Sequence, residues 1–201
     1  MPITIAQVLA TGTLARGPQP TIEAEGGLVL RPWRDEDVPA VYTAFRDPTI
    51  QHWHARVAES EDEARGWMQE WRDAWDAWDG EQRASWALVA ADTGEVVGRT
   101  ALRSLSLHEG LAEVAYWVLP AARGAGIAPR AVAALSRWAL DEIGFHRLEL
   151  QHAVGNMASC RVALKSGFAL EGTKRSALLH ADGWHDCHLH ARVQGDRRPE
   201  A

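Results

Sequence analysis

Cysteine is scarce in this sequence: Cys160 and Cys187 are the only two in 201 residues, and they form no CxxC pair. Neither a disulfide framework nor a thiolate zinc site is indicated. Long apolar runs are missing as well. Nothing approaches the ~20 residues that cross a bilayer, and Met1 to Ala10 lacks the basic start and apolar stretch of a secretory signal. No membrane partner is expected, and the reading is cytoplasmic. Positive charge is in deficit, with 21 Lys and Arg against 27 Asp and Glu and a net charge of −6. Non-specific nucleic-acid binding rests on clustered cations, so nucleic acid is not an expected partner. Nor is a metal. His52/His54 and His188/His190 are spaced two apart, which on a strand sets each pair on one face. No carboxylate or third histidine stands at a recognisable ligand spacing from either pair.

What is present fits one domain. Apolar residues make up 46% and charged residues 24%, an ordinary globular balance, and a chain of this length buries roughly 70% of its unfolded surface. Residues 1–26 hold Gly12, Gly17, Pro18, Pro20 and Gly26 without sustained periodicity. They read as a flexible leader with at most one early strand. The folded unit is expected over 27–194, followed by a polar tail, 195–201.

Within it, Leu28 to Leu30 reads as a strand. Asp35 to Phe45 reads as a helix, with Val38, Val41, Tyr42 and Phe45 at helical spacing. Ser60 and Glu63 form a capping box that opens a helix to about Asp79. Trp86 to Ala90 and Glu95 to Leu105 form a hairpin around Asp92-Thr93-Gly94. Ala112 to Val118 is a further strand. Ile127 to Ile143 is helical, with Pro129 in its first turn and Gly144 as its stop. Arg147 to His152 is a strand, Asn156 to Ser166 a short helix, and the chain closes on a hairpin around Ala181-Asp182-Gly183. This order predicts an α/β fold: a central mixed sheet flanked by helices on both faces.

Tryptophan is the compositional excess, with ten residues. Trp67, Trp71, Trp75 and Trp78 are spaced 4, 4 and 3 and form one helical stripe. Core packing accounts for such a stripe, and so does a pocket wall or a dimer interface, because indoles combine large area with an edge N–H. Trp86, Trp138 and Trp184 read as core or edge packing.

The most informative stretch runs from Glu113 to Arg130. A strand enters Arg123-Gly124-Ala125-Gly126-Ile127-Ala128, which opens a helix whose first amides attract an anion. A nucleotide P-loop requires Gly-Lys-Ser/Thr, which is absent. A dinucleotide fingerprint requires a third small residue where Pro129 stands. The hexapeptide instead resembles the R/Q-x-x-G-x-G/A loop of GNAT-type acetyltransferases. Leu28-Val-Leu-Arg-Pro-Trp33, Tyr116-Trp-Val-Leu-Pro120, Asn156-Met-Ala-Ser159 and Gly167-Phe-Ala-Leu-Glu-Gly172 follow in the order of the branch typified by the Rim-type N-terminal acetyltransferases of ribosomal proteins. The likeness spans residues 28 to 193.

The resemblance implies a splayed sheet and acetyl-CoA as cosubstrate. Pantetheine then lies along Trp117, Val118 and Leu119. The pyrophosphate meets Arg123, Gly124, Ala125, Gly126, Ile127 and Ala128. Asn156, also a good N-cap, meets the pantetheine arm, and Ser159 sits near the thioester sulfur. Many relatives use a late tyrosine to protonate the thiolate. Neither Tyr42 nor Tyr116 matches that position, which favours Ser159. Glu113 is the leading candidate base and His152 the second. Leu178 occupies a position where some ribosomal-protein acetyltransferases carry a carboxylate, so neither their substrate nor their base assignment transfers directly.

The first two helices of the family frame the acceptor, which points to Trp53, His54, Trp67 and Trp71. The implied reaction is direct attack of a primary amine, on a peptide N-terminus or a small molecule, in a ternary complex. The acidic balance favours cationic acceptors. Two alternatives stay open: a CoA-binding sensor without turnover, and another donor such as succinyl-CoA.

Overall fold

A computed structural model describes residues 5–14, 17–76 and 83–196. Apolar segments parted by tight turns form one eight-stranded sheet: β1 (Ile22–Ala24), β2 (Leu28–Arg31), β3 (Ala84–Ala90), β4 (Val96–Ser106), β5 (Leu111–Val118), β6 (Arg147–Ala153), β7 (Ala169–His180) and β8 (Gly183–Val193). The spatial order is β1-β2-β3-β4-β5-β6-β8-β7. Neighbours are antiparallel except β5 and β6, which are parallel. A parallel pair requires a crossover. α4 (Ile127–Arg137) supplies it, prolonged by a π-helical turn, Trp138–Ile143, that stops at Gly144 with φ of +95°.

The remaining helices are α1 (Val38–Ala44), α2 (Pro48–His54), α3 (Glu61–Asp76) and α5 (Met157–Lys165). Strand alternation divides the apolar residues between two cores. Along β3, Trp86 and Leu88 join Leu102, Leu135, Phe145 and Leu148 beneath α4, while Ala87 and Val89 join Trp33, Phe45, Met68 and Trp117 beneath α1 and α3. Both faces are thus covered, as the element order predicts.

The tryptophan stripe serves these cores. Trp67 meets Phe45 edge-on at 5.0 Å, Trp71 lies 5.2 Å from Trp33, and Trp75 lies 5.9 Å from Trp86. Trp86 in turn meets Trp138 at 5.3 Å. Trp78 falls outside the described residues. Trp184 departs from its expected packing role, with 64% of its surface exposed.

Two further expectations are corrected. In the described part of 1–26 the one early strand allowed for is present, Ile22–Ala24 beside β2, but Leu9 and Leu14, expected in a flexible leader, are buried in the larger core. The sequence reading also missed α2, whose seven residues are too few for a periodic signal. Asp47 caps it by accepting from Ile50 N at 3.0 Å, and Pro48 takes the first position, where no donor is needed. His52 and His54 therefore sit on a helix, about 200° apart, and not on one face of a strand.

Candidate active site

β5 and β6 pair only where Leu111 to Glu113 face Arg147 to Glu149. Beyond that they diverge into a cleft of about 700 Å³, lined by Val114–Val118 from one strand and Leu150–Ala153 from the other. The glycine loop closes one end. Gly124 and Gly126 adopt φ of +85° and +69°, with open space where a Cβ would project, so glycine is required by conformation and not by crowding. Arg123 braces the loop, donating to Val118 O at 3.2 Å and to Asp47 Oδ1 at 2.6 Å. Arg130 donates to the carbonyls of Gly126 and Ala125 at 3.1 and 3.0 Å.

Across the cleft, Asn156 caps α5 by accepting from Ser159 N at 3.0 Å. Ser159 Oγ lies 2.6 Å from Tyr116 Oη. Burial pushes the Tyr116 phenol up to about 12, with the Ser159 contact pulling the other way. Tyr116 stands on β5, well before the late tyrosine of the family. Alternation on β5 was the available signal: Trp117 packs in the core beneath α1 and α3, so Tyr116 faces α5.

Of the expected cofactor residues, Trp117, Val118, Arg123, Gly124, Gly126, Ile127, Ala128, Asn156 and Ser159 line the cleft. Leu119 packs against the smaller core, and Ala125 lies outside the lining. Glu113 also stands outside it, paired with Arg103 at 2.6 Å. His152 reaches the lining, but its ring nitrogens are engaged beneath α5: Nδ1 with Ala153 O at 2.8 Å and Nε2 with His190 Nε2 at 3.2 Å.

The opposite mouth is framed by Trp53 and His54 of α2 and by Leu178, Leu179 and His180 of β7. Trp67 and Trp71 do not reach it. His54 is pushed down to about 4 by burial, with the charges of Arg99 and Arg103 adding to the effect. Burial, then His185 and His52, lowers His180. Arg103, Arg123, Arg161 and Lys165 line the cleft, and no carboxylate does among the described residues. Two of these cations are ion-paired, Arg103 with Glu113 and Arg123 with Asp47.

The case against a metal-ligating set, drawn from spacing along the chain, also changes in three dimensions. His152 joins His188 and His190 across β6 and β8, and α5 adds Cys160. His52 similarly gathers with His180 and Asp182.

Residues 27–169 match the acetyltransferase (GNAT) domain family. An uncharacterized N-acetyltransferase of Bacillus subtilis, YoaA, is 24% identical over 169 residues, 83% of this chain and 93% of that protein. The ribosomal-protein-serine acetyltransferase of Escherichia coli is 30% identical over 99 residues, 49% of this chain and 55% of its own. Among solved structures, RimL, a ribosomal L7/L12 α-N-protein acetyltransferase in complex with coenzyme A, superposes with a TM-score of 0.77 at 22% identity, over 89% of this chain and 100% of that one. RimJ of Mycobacterium smegmatis, in complex with CoA-disulfide, gives 0.76 at 21% identity, over 90% and 89%. With the domain match spanning most of the chain, the protein belongs to the GNAT acetyltransferase family, enzymes that acylate amines from acyl-CoA.

Proposed function

We propose that the protein transfers an acetyl group from acetyl-CoA to a primary amine, with a peptide N-terminus as the acceptor, by direct attack in a ternary complex. The observation that carries this reading is the opening of β5 from β6 into a cleft that ends on the glycine loop and contains the Ser159–Tyr116 hydroxyl pair. The splay frees backbone groups of Trp117 and Val118 for pantetheine. Amides at the N-terminus of α4 suit the pyrophosphate, and Arg161 and Lys165 bring further positive charge to the same cleft.

In the reaction the neutral amine attacks the thioester carbon, forming the C–N bond as the C–S bond breaks. Sulfur leaves as a thiolate and takes a proton from Ser159, which is resupplied through Tyr116. The surplus proton on nitrogen passes to water and balances the one given to sulfur. Neither candidate base presents a free basic atom to the cleft, since Glu113 is ion-paired and His152 has both nitrogens engaged. That favours an α-amine. At a pKa of ~7.7–8.0 its deprotonation near pH 7 costs about 1 kcal/mol, against roughly 4–5 kcal/mol for a lysine at ~10.4. Similarity to enzymes that act on ribosomal proteins supports a peptide. Direct attack needs no covalent intermediate, and Cys160 is assigned no part in it.

The test is mass spectrometry and thiol release on peptides and small amines incubated with acetyl-CoA and enzyme, repeated with succinyl-CoA. N-terminal acetylation of a peptide with one thiol released per amide is the expected result. Turnover of polyamines without any peptide overturns the acceptor, and preference for succinyl-CoA overturns the donor. Binding of acetyl-CoA without release on any amine, unaffected by Ser159→Ala, identifies a sensor instead.

A further inference from the structure

Four side chains beneath α5 take no part in acetyl transfer as derived above. His152 on β6 stands opposite His188 on β8 in the antiparallel register, and His190 lies two residues further along, so all three rings project from one face of the sheet. Cys160 of α5 meets them there. One ligand atom from each lies within 4.8 Å of all the others. His152 and His190 are buried, 4% and 0% exposed, while Cys160 and His188 are half-buried.

Three features distinguish it from ordinary packing. The Nε2 atoms of His152 and His190 are 3.2 Å apart, close to the roughly 3.3 Å edge of a tetrahedron with Zn–N bonds of ~2.0–2.1 Å. His152 Nδ1 donates to Ala153 O, which turns the Nε2 lone pair inward, as an outer-shell carbonyl does for a ligating imidazole. The Nδ1 atom of His188 is buried without a hydrogen-bond partner, an unsatisfied state that normally costs stability.

We infer that His152, His188, His190 and Cys160 form a zinc site closed by four protein ligands, a clamp that fastens α5 to β6 and β8. Imidazole with thiolate is a donor set that suits zinc, and four protein ligands mark a structural rather than a catalytic site. Binding forms the Zn–S bond as the thiol proton leaves to solvent, one proton per zinc. The inference stands independently of the acetyl-transfer reading. It links to that reading in one way: α5 also carries Ser159, so the clamp fixes where that hydroxyl sits.

The experiment uses the full chain without an affinity tag, stripped of metal and titrated with zinc against a chromophoric chelator. One equivalent bound, one proton released and a raised Tm are expected. Cobalt(II) as a probe should give tetrahedral ligand-field bands with a thiolate charge-transfer band. Cys160→Ser should abolish the charge-transfer band and weaken zinc at least about tenfold, and His188→Ala should weaken it similarly. His180→Asn, which disrupts the separate group formed by His52, His180 and Asp182, should leave the affinity unchanged. The inference is overturned if the parent retains no zinc, if Cys160→Ser binds it as well as the parent does, or if binding is lost in His180→Asn instead. Far-ultraviolet circular dichroism of each stripped variant separates loss of ligation from loss of fold.

Discussion

The hydroxyls of Tyr116 and Ser159 meet at 2.6 Å across the cleft, brought together from β5 and α5. Each is held by a different device. Burial keeps the Tyr116 phenol protonated well past neutral pH, while the Asn156 cap fixes the Ser159 backbone. In the proposed reaction a protonated phenol behind a serine hydroxyl forms a two-membered donor chain toward the developing thiolate.

Tyr116→Phe and Ser159→Ala should therefore each lower kcat by about 10- to 100-fold, within the range of general-acid contributions. Affinity for CoA should change little. Because the two hydroxyls act as a unit, the double variant should fall close to the slower single variant. Steady-state kinetics of the four enzymes decide the matter, and additive losses would show that the hydroxyls act separately.

Asp47 joins the two ends of the site. It caps α2, which carries Trp53 and His54, and pairs with Arg123 of the glycine loop at 2.6 Å. The Arg123 guanidinium holds its carboxyl below the usual range. Asp47→Ala should cost about 1–2 kcal/mol as a lost cap and raise KM for both acetyl-CoA and acceptor. Asp47→Asn keeps a capping oxygen and should recover most of the stability while leaving KM raised. Thermal melts and initial rates on both variants separate the two roles.

The sequence made the strands, the crossover helix and the glycine loop legible because each carries a local signal: alternation, helical period, or two glycines before a helix. It did not reveal what depends on contacts between distant residues. Tyr116 and Ser159 meet only because β5 and α5 face each other over the splay. His152 meets His188 and His190 only through the pairing of β6 with β8. The short helix α2 escaped for a different reason, since a cap and a proline at its start outweigh a periodicity too brief to read. Leu9 and Leu14 were hidden by the glycines and prolines around them, although both are buried in the larger core.

The low pKa of His54 gives a signed pH dependence of stability. Its folded value, about 4, lies below an unfolded value near 6.5. The unfolded chain thus binds the proton more readily. His54 contributes full stability above about pH 6.5 and loses it progressively as pH falls toward 4, by up to roughly 3 kcal/mol. His152, His180 and His190 are shifted in the same direction and add to the trend. Urea melts between pH 7.5 and pH 4.5 should show a shallower decline for His54→Gln, and equal slopes in both proteins would refute the assignment.

The Arg-Pro-Trp motif has a structural purpose. Arg31 and Asp37 form a buried two-pronged pair, at 2.7 and 2.8 Å, and Asp37 also accepts from Arg34 N at 2.8 Å. Asp37→Ala strands a buried guanidinium and frees a backbone donor, so a loss of about 3–5 kcal/mol is expected in urea unfolding. Arg31 does not line the cleft, so kcat at temperatures where the variant stays folded should hold. A fall in kcat under those conditions would place this pair nearer the chemistry than its geometry suggests.

Trp53 and Trp71 should part company under mutation, although sequence reasoning placed both at the acceptor. Trp71 is 2% exposed, stacked beside Trp33 with the Arg99 guanidinium 4.3 Å above its ring. Its replacement by alanine leaves a cavity worth about 3–5 kcal/mol, while acceptor KM should stay unchanged wherever the protein remains folded. Trp53 lines the cleft mouth, 5.6 Å from His180. Trp53→Ala should lower Tm only slightly and shift acceptor KM several-fold, most for acceptors with apolar bulk next to the amine. The opposite pattern, with specificity changed by Trp71 and stability by Trp53, would return the stripe to the acceptor and require α3 to move toward the cleft when substrate binds.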